Sequence, residues 1–148
     1  MKRLLAILLF LSLLVIPLAG SAFAQDYYFQ VPQKIVHAYW ESDGSLTLYY
    51  SFVFQNDPSG HVIDFVDVGL PNGNYNDYDI SASIDGQPVD YVSSSEFQGE
   101  GGYGVAVALG DKSIPPGGSG TVTVYVPGIT GVLREDTQSD AYASAVFI

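Results

Sequence analysis

Apolar and polar residues alternate along most of this chain, and the alternation is sharpest between Ser45 and Gln55. Leu46, Leu48, Tyr50, Phe52 and Phe54 fall on one face. Ser45, Thr47, Ser51 and Gln55 fall on the other, with Tyr49 and Val53 among them. Large apolar side chains at every second position predict a strand with one buried face. Lys34 to Trp40 predicts a partner strand, joined to it by a Ser42-Asp43-Gly44 turn.

The same reading continues downstream. Asn56-Asp57-Pro58-Ser59-Gly60 is a second turn, and His61 to Leu70 an apolar-rich strand. Pro71 to Asp77 reads as a polar loop. Ile80, Ala82 and Ile84 alternate up to Asp85-Gly86, a two-residue hairpin signal with Val89 to Val92 as its return strand. Ser93 to Gly102 reads as a loop and Tyr103 to Leu109 as a strand. The prolines of Ile114-Pro115-Pro116-Gly117 lack ladder donors and mark a rigid turn. Thr121 to Val126 then alternates until Pro127, which is expected to stop it, and Tyr142 to Ile148 is a last apolar segment. No segment downstream of the first two dozen residues carries a helical apolar stripe. Seven or eight short strands separated by Gly/Pro turns predict an all-β fold, an antiparallel immunoglobulin-like β-sandwich, with a small barrel as the alternative.

The amino-terminal residues follow a different rule. Lys2 and Arg3 precede an apolar run from Leu4 to Leu18, and Ala22-Phe23-Ala24 closes it with small residues at alternate positions. That is the layout of a secretory signal peptide, residues 1–24, cleaved after Ala24. An uncleaved anchor is the other reading, but the run falls short of the roughly 20 apolar residues that a spanning helix needs. Leu18-Ala19-Gly20 runs into Ser21, so no cysteine is present to accept a lipid. The expected location is exported, extracellular or at the cell surface.

Composition narrows the functions. Cleavage would leave residues 25–148, long enough for one domain with a core. Lys34, Lys112 and Arg134 would face all sixteen acids, for a net charge near −13. Such a surface repels nucleic acid and anionic headgroups. The absence of cysteine removes disulfides and thiolate chemistry, so the core alone must hold the fold. Eleven tyrosines supply aromatic area for it.

The stretches Ile63-Asp64-Phe65-Val66-Asp67-Val68-Gly69-Leu70-Pro71, Ile84-Asp85-Gly86, and Val107-Ala108-Leu109-Gly110 with Ile114-Pro115-Pro116-Gly117 carry a resemblance. Over most of Tyr28 to Ile148 the chain resembles the exported N-terminal β-domain of bacterial predicted membrane proteins of unknown function. The resemblance implies an exported β-sandwich and supplies no catalytic residues. It also implies a membrane span further along. Alternation is still in progress through Ala143, Ala145 and Phe147, so the expectation is the front part of a longer membrane-tethered protein, its domain truncated at the C-terminus.

Several residues invite chemistry, each with a plainer reading beside it. His37 and His61 are the only histidines, and neither lies in a nucleophile-elbow or metal motif. A catalytic residue is therefore not assigned, and a hydrolase stands as a distant alternative. Asn72, Asn74, Asn76, Asp77 and Asp79 offer oxygens at near-alternate positions, the kind of ligand that Ca²⁺ requires. Binding through neutral amides would be weak, and Asn and Asp also fill loops because they tolerate left-handed backbone. Trp40, Tyr75 and Tyr78 could form a platform for sugar rings, although Trp40 shares parity with Val36 and Ala38 and could belong to the core. Asp64 and Asp67 occupy opposite parities of an apolar strand. Whichever face is buried, one carboxylate must find hydrogen-bond donors, sit at a strand end or be relieved by a bulge. The chain thus reads as a non-enzymatic structural or interaction domain whose partner is a protein or a cell-envelope glycan. A carbohydrate-binding module is the alternative.

Overall fold

Period-two alternation becomes antiparallel sheet throughout. The computed structural model describes residues 27–95, 102–139 and 141–145. The expected signal peptide with its cleavage site, and Val146-Phe147-Ile148, lie outside the described residues. Among those described there is no α-helix, only two 3-10 turns at Asp77–Asp79 and Gly110–Lys112.

Strands β1 (Phe29–Trp40) and β2 (Leu46–Asn56) form the expected hairpin, with Val36 opposite Tyr50 and Trp40 opposite Leu46. β1 starts earlier than Lys34. Pro32 falls in the interruption of register between Gln30 and Gln33, on an edge strand where a missing donor costs no ladder bond. At the hairpin turn the Asp43 carboxylate accepts from the Ser45 amide at 3.0 Å and its hydroxyl at 2.7 Å.

β3 (Phe65–Gly69), β4 (Ser81–Ile84), β5 (Gln87–Pro88), β6 (Tyr91–Ser94), β7 (Gly104–Ala108) and β8 (Ser119–Ile129) complete the two main sheets. One sheet has the order β1-β2-β8-β4-β5 and the other β3-β7-β6, every pairing antiparallel. A separate ribbon pairs β9 (Leu133–Glu135) with β10 (Ala143–Ala145).

Three expectations need correction. The return strand at Val89–Val92 is split: β5 stays with β4, while β6 crosses to the smaller sheet. β8 does not stop at Pro127. It runs to Ile129 through a register shift between Leu46 and Leu48, where Gly128 takes φ +67 and absorbs the kink. The strand at His61–Leu70 is shortened, because Ile63 forms an isolated bridge with Ile114 before β3 begins.

Inward residues of both sheets share one core. Leu46, Leu48, Val122, Val124 and Val126 from the larger sheet, and Val105 and Val107 from the smaller, are almost wholly buried. Asn56 pins one end of that core. Its side-chain amide donates to the His61 carbonyl at 2.7 Å and the Ile114 carbonyl at 3.2 Å, tying β2 to the Ile63–Ile114 bridge.

Candidate functional site

The two sheets differ in width, and the mismatch leaves a groove. β2 is covered by the three-stranded sheet, so its inward Tyr50, Phe52 and Phe54 are buried. β1 overhangs. Its inward residues lie on the same face, yet every residue of β1 is exposed, with Val36 at 42 % and Trp40 at 43 %. The result is an open groove of about 1030 Å³ along one flank. Phe29, Val31, Lys34, Val36 and Ala38 of β1 form one wall; Tyr50, Phe52 and Phe54 form the floor. The opposite wall is β3 with Ile63.

Among the described residues β3 is an edge strand, paired only to β7. Leu109 donates to the Asp64 carbonyl at 2.8 Å, and Leu70 donates to the Tyr103 carbonyl at 3.0 Å. Bonded positions alternate in an antiparallel ladder, so Val66 and Val68 also direct their backbone groups at β7. Phe65, Asp67 and Gly69 direct theirs away from it, along the groove. Of these, the Gly69 carbonyl accepts from the Tyr50 hydroxyl at 3.1 Å. Burial pushes the Tyr50 hydroxyl up to about 12, so it remains a donor at neutral pH.

One cation enters this apolar trough. The Lys34 ammonium lies 5.6 Å from the centroid of the Phe52 ring, within range of the negative ring face. At the far end, Tyr27 packs edge-on against Phe65 with centroids 6.1 Å apart and donates to Asp64 at 3.4 Å. Burial first, then the neighbouring Asp64 charge, raises the Tyr27 pKa.

The sequence-derived residues are dispersed around this groove. Asp64 and Asp67 are both exposed, which overturns the expectation of a partly buried carboxylate. The physical reason is the break between Ile63 and β3. Ile63 and Val66 both point inward, leaving Asp64 and Phe65 outward in succession, and Asp67 then falls on the solvent face. Asp64 accepts from Tyr27 and Asp67 from Ser95.

In the loop proposed for calcium, two of the amide oxygens serve the backbone. Asn72 Oδ1 accepts from the Asn74 amide at 2.8 Å, and Asn76 Oδ1 accepts from the Tyr78 amide at 3.3 Å. Asn76 Nδ2 donates to Asp79 at 2.8 Å, and Asn72 Nδ2 to the Thr130 carbonyl at 2.9 Å. Asp77 opens the 3-10 turn. Among the described residues no group of three or more His, Cys, Asp or Glu side chains is placed to hold a metal ion.

The three aromatics proposed for sugar stand in different settings. Trp40 belongs to the core-facing side of β1. Tyr75 packs against the core and donates to the Gly104 carbonyl at 3.2 Å, whereas Tyr78 is 96 % exposed on the 3-10 turn. Of the histidines, His37 stacks on Tyr39, and the His61 carbonyl accepts from Asn56. The groove itself escapes sequence reading because its walls, β1 and β3, are separated by β2 in the chain and by two sheets in space.

Comparison with family models, with curated proteins and with solved structures returns no match in any of the three.

Proposed function

We propose that this chain is a non-enzymatic, exported interaction domain that receives an extended polypeptide segment as an added strand along β3. The carrying observation is the coincidence of a strand edge that is unpaired among the described residues with an apolar trough. Backbone groups of Phe65, Asp67 and Gly69 offer main-chain hydrogen bonds, and Phe52, Phe54 and Val36 offer contact for every second side chain of the incoming strand. This is the logic of strand addition, in which the ladder gives affinity and the trough gives register. The frame resembles an immunoglobulin-like sandwich in which β8, rather than the fifth strand, sits between β2 and β4. The likeness to exported N-terminal domains and the signal-type leader support the same reading.

The occupant is an extended segment with alternating apolar side chains. The chain's own stretch Ala141 to Ile148 has the required alternation and serves as the probe. A synthetic peptide of that sequence is expected to bind and to slow hydrogen exchange at the Phe65 and Asp67 amides. Val36→Asp, at an exposed position, is expected to weaken binding at least tenfold without moving the unfolding midpoint. Binding without protection of those two amides, or no binding at all, refutes the proposal.

A further inference from the structure

The outward face of the five-stranded sheet has a composition unlike the rest of the surface. Outward positions are Gln33, Ile35, His37 and Tyr39 on β1, and Tyr49, Ser51, Val53 and Gln55 on β2. β8 adds Ser119, Thr121, Thr123 and Tyr125, and β4 adds Ser81 and Ser83. None carries a formal charge, in a chain with sixteen acids. Glu41, just past the end of β1, borders one corner and accepts from Thr47 at 3.1 Å.

Across this neutral field runs a row of rings. His37 pairs with Tyr49, and Tyr49 pairs with Tyr125, so the row crosses three adjacent strands. Tyr39 extends it, stacked on His37 with centroids 6.2 Å apart and planes 22° apart; His37 and Tyr49 are 6.3 Å apart. Tyr39, Tyr49 and Tyr125 are 54 %, 37 % and 43 % exposed, so the rings remain open to solvent. The neighbouring row is Ser51, Thr123 and Ser83, the last two sharing a 2.6 Å hydrogen bond.

We infer that this face is a binding platform for an uncharged, linear polysaccharide. The face of a pyranose ring presents polarised C–H groups, which suit the negative face of an aromatic ring. Its equatorial hydroxyls both donate and accept, which suits a fringe of Ser and Thr hydroxyls. Neutrality selects the polymer. A polyanion would be repelled by the surrounding acids, and a cationic chain would be drawn to those acids and away from this face. A linear polymer fits because the rings form a row across three adjacent strands rather than a cup around one sugar. The groove lies on the opposite face of the same sheet, so the two sites are independent.

Pull-down of the protein on microcrystalline cellulose and on chitin tests the assignment, with alginate as the anionic control. Retention is expected on at least one neutral polymer, unchanged by added salt, and absent on alginate. The double variant Tyr49→Ser/Tyr125→Ser is expected to reduce retention roughly tenfold. Tyr49→Phe/Tyr125→Phe keeps the rings and is expected to keep binding. His37→Ala/Tyr39→Ala, on the exposed edge strand, gives a second loss that does not depend on packing in mid-sheet. No retention on either neutral polymer, retention abolished by salt, or full retention by both ring-removing variants overturns the proposal.

Discussion

The hydroxyl of Tyr50, on the larger sheet, donates to the carbonyl of Gly69, on the smaller, across 3.1 Å. It is a polar link between the sheets in an otherwise apolar region, and it occupies one acceptor of the β3 edge. Tyr50→Phe should cost about 1 kcal/mol, the net worth of a typical hydrogen bond. It should also loosen β3, which amide exchange at Val66 and Val68 would register as faster opening.

Alkaline stability follows from the same residue. The folded Tyr50 pKa is raised to about 12 by burial, against about 10 in an unfolded chain. A raised pKa favours the native state fully below the unfolded value, and that contribution is lost as pH rises through the folded one. Urea midpoints should therefore fall between about pH 10 and about 12, and less steeply in Tyr50→Phe. Tyr27 and Tyr75, both raised by burial and by a nearby Asp, account for a remaining slope in that variant. Identical slopes in the two proteins would refute the role assigned to Tyr50.

Asp43 and Asp57 give the acid counterpart. The Ser45 amide and hydroxyl hold Asp43 below the usual carboxylate range; the Ser59 hydroxyl and amide do the same for Asp57. A depressed pKa contributes stability above the unfolded value, lost as pH falls through the folded one. Carboxyl titrations followed by NMR should place both midpoints under the ordinary value of about 4. In Ser45→Ala and Ser59→Ala the corresponding midpoint should rise.

Asn56 is buried and bonds two carbonyls from different turns. Asn56→Ala would leave the His61 and Ile114 carbonyls without that donor and open a small void. The expected loss is about 2–3 kcal/mol, read as a lower denaturant midpoint with unchanged slope. A shift under a few tenths of that would show that solvent replaces the amide.

Gly104 faces Gly69 in the β3–β7 ladder, and a Cβ there would come within 2.8 Å of the Val68 carbonyl. Backbone must move to admit it. Gly104→Ala should destabilise by about 1–3 kcal/mol and weaken peptide binding at the groove, since β3 forms its wall.

How far the sequence revealed this molecule depended on how local the cause was. The Leu46–Asn56 strand and its partner were legible because alternation and turn chemistry lie within one short window. Pro127 misled because a bulge lets a proline sit inside a strand, and a bulge depends on the partner's register. Asp64 and Asp67 posed a real conflict between parity and charge, and the resolution, two outward residues in succession, depends on Ile114 some fifty residues away. The aromatic row was hidden for the same reason. His37, Tyr49 and Tyr125 become neighbours only through strand pairing, and single-strand parity says nothing of which strands adjoin.

The position of β8 has a kinetic consequence. Its pairs with β2 run from Gln55–Ser119 to Leu46–Ile129, spanning 64 to 83 residues of chain. The middle of the larger sheet therefore cannot close until the polypeptide through Ile129 is present, and the early hairpin waits with one edge and its apolar face uncovered. Topologies dominated by such distant contacts fold in milliseconds to seconds rather than microseconds. During that interval the nascent chain remains threadable, and it is also at its most vulnerable to association with other chains.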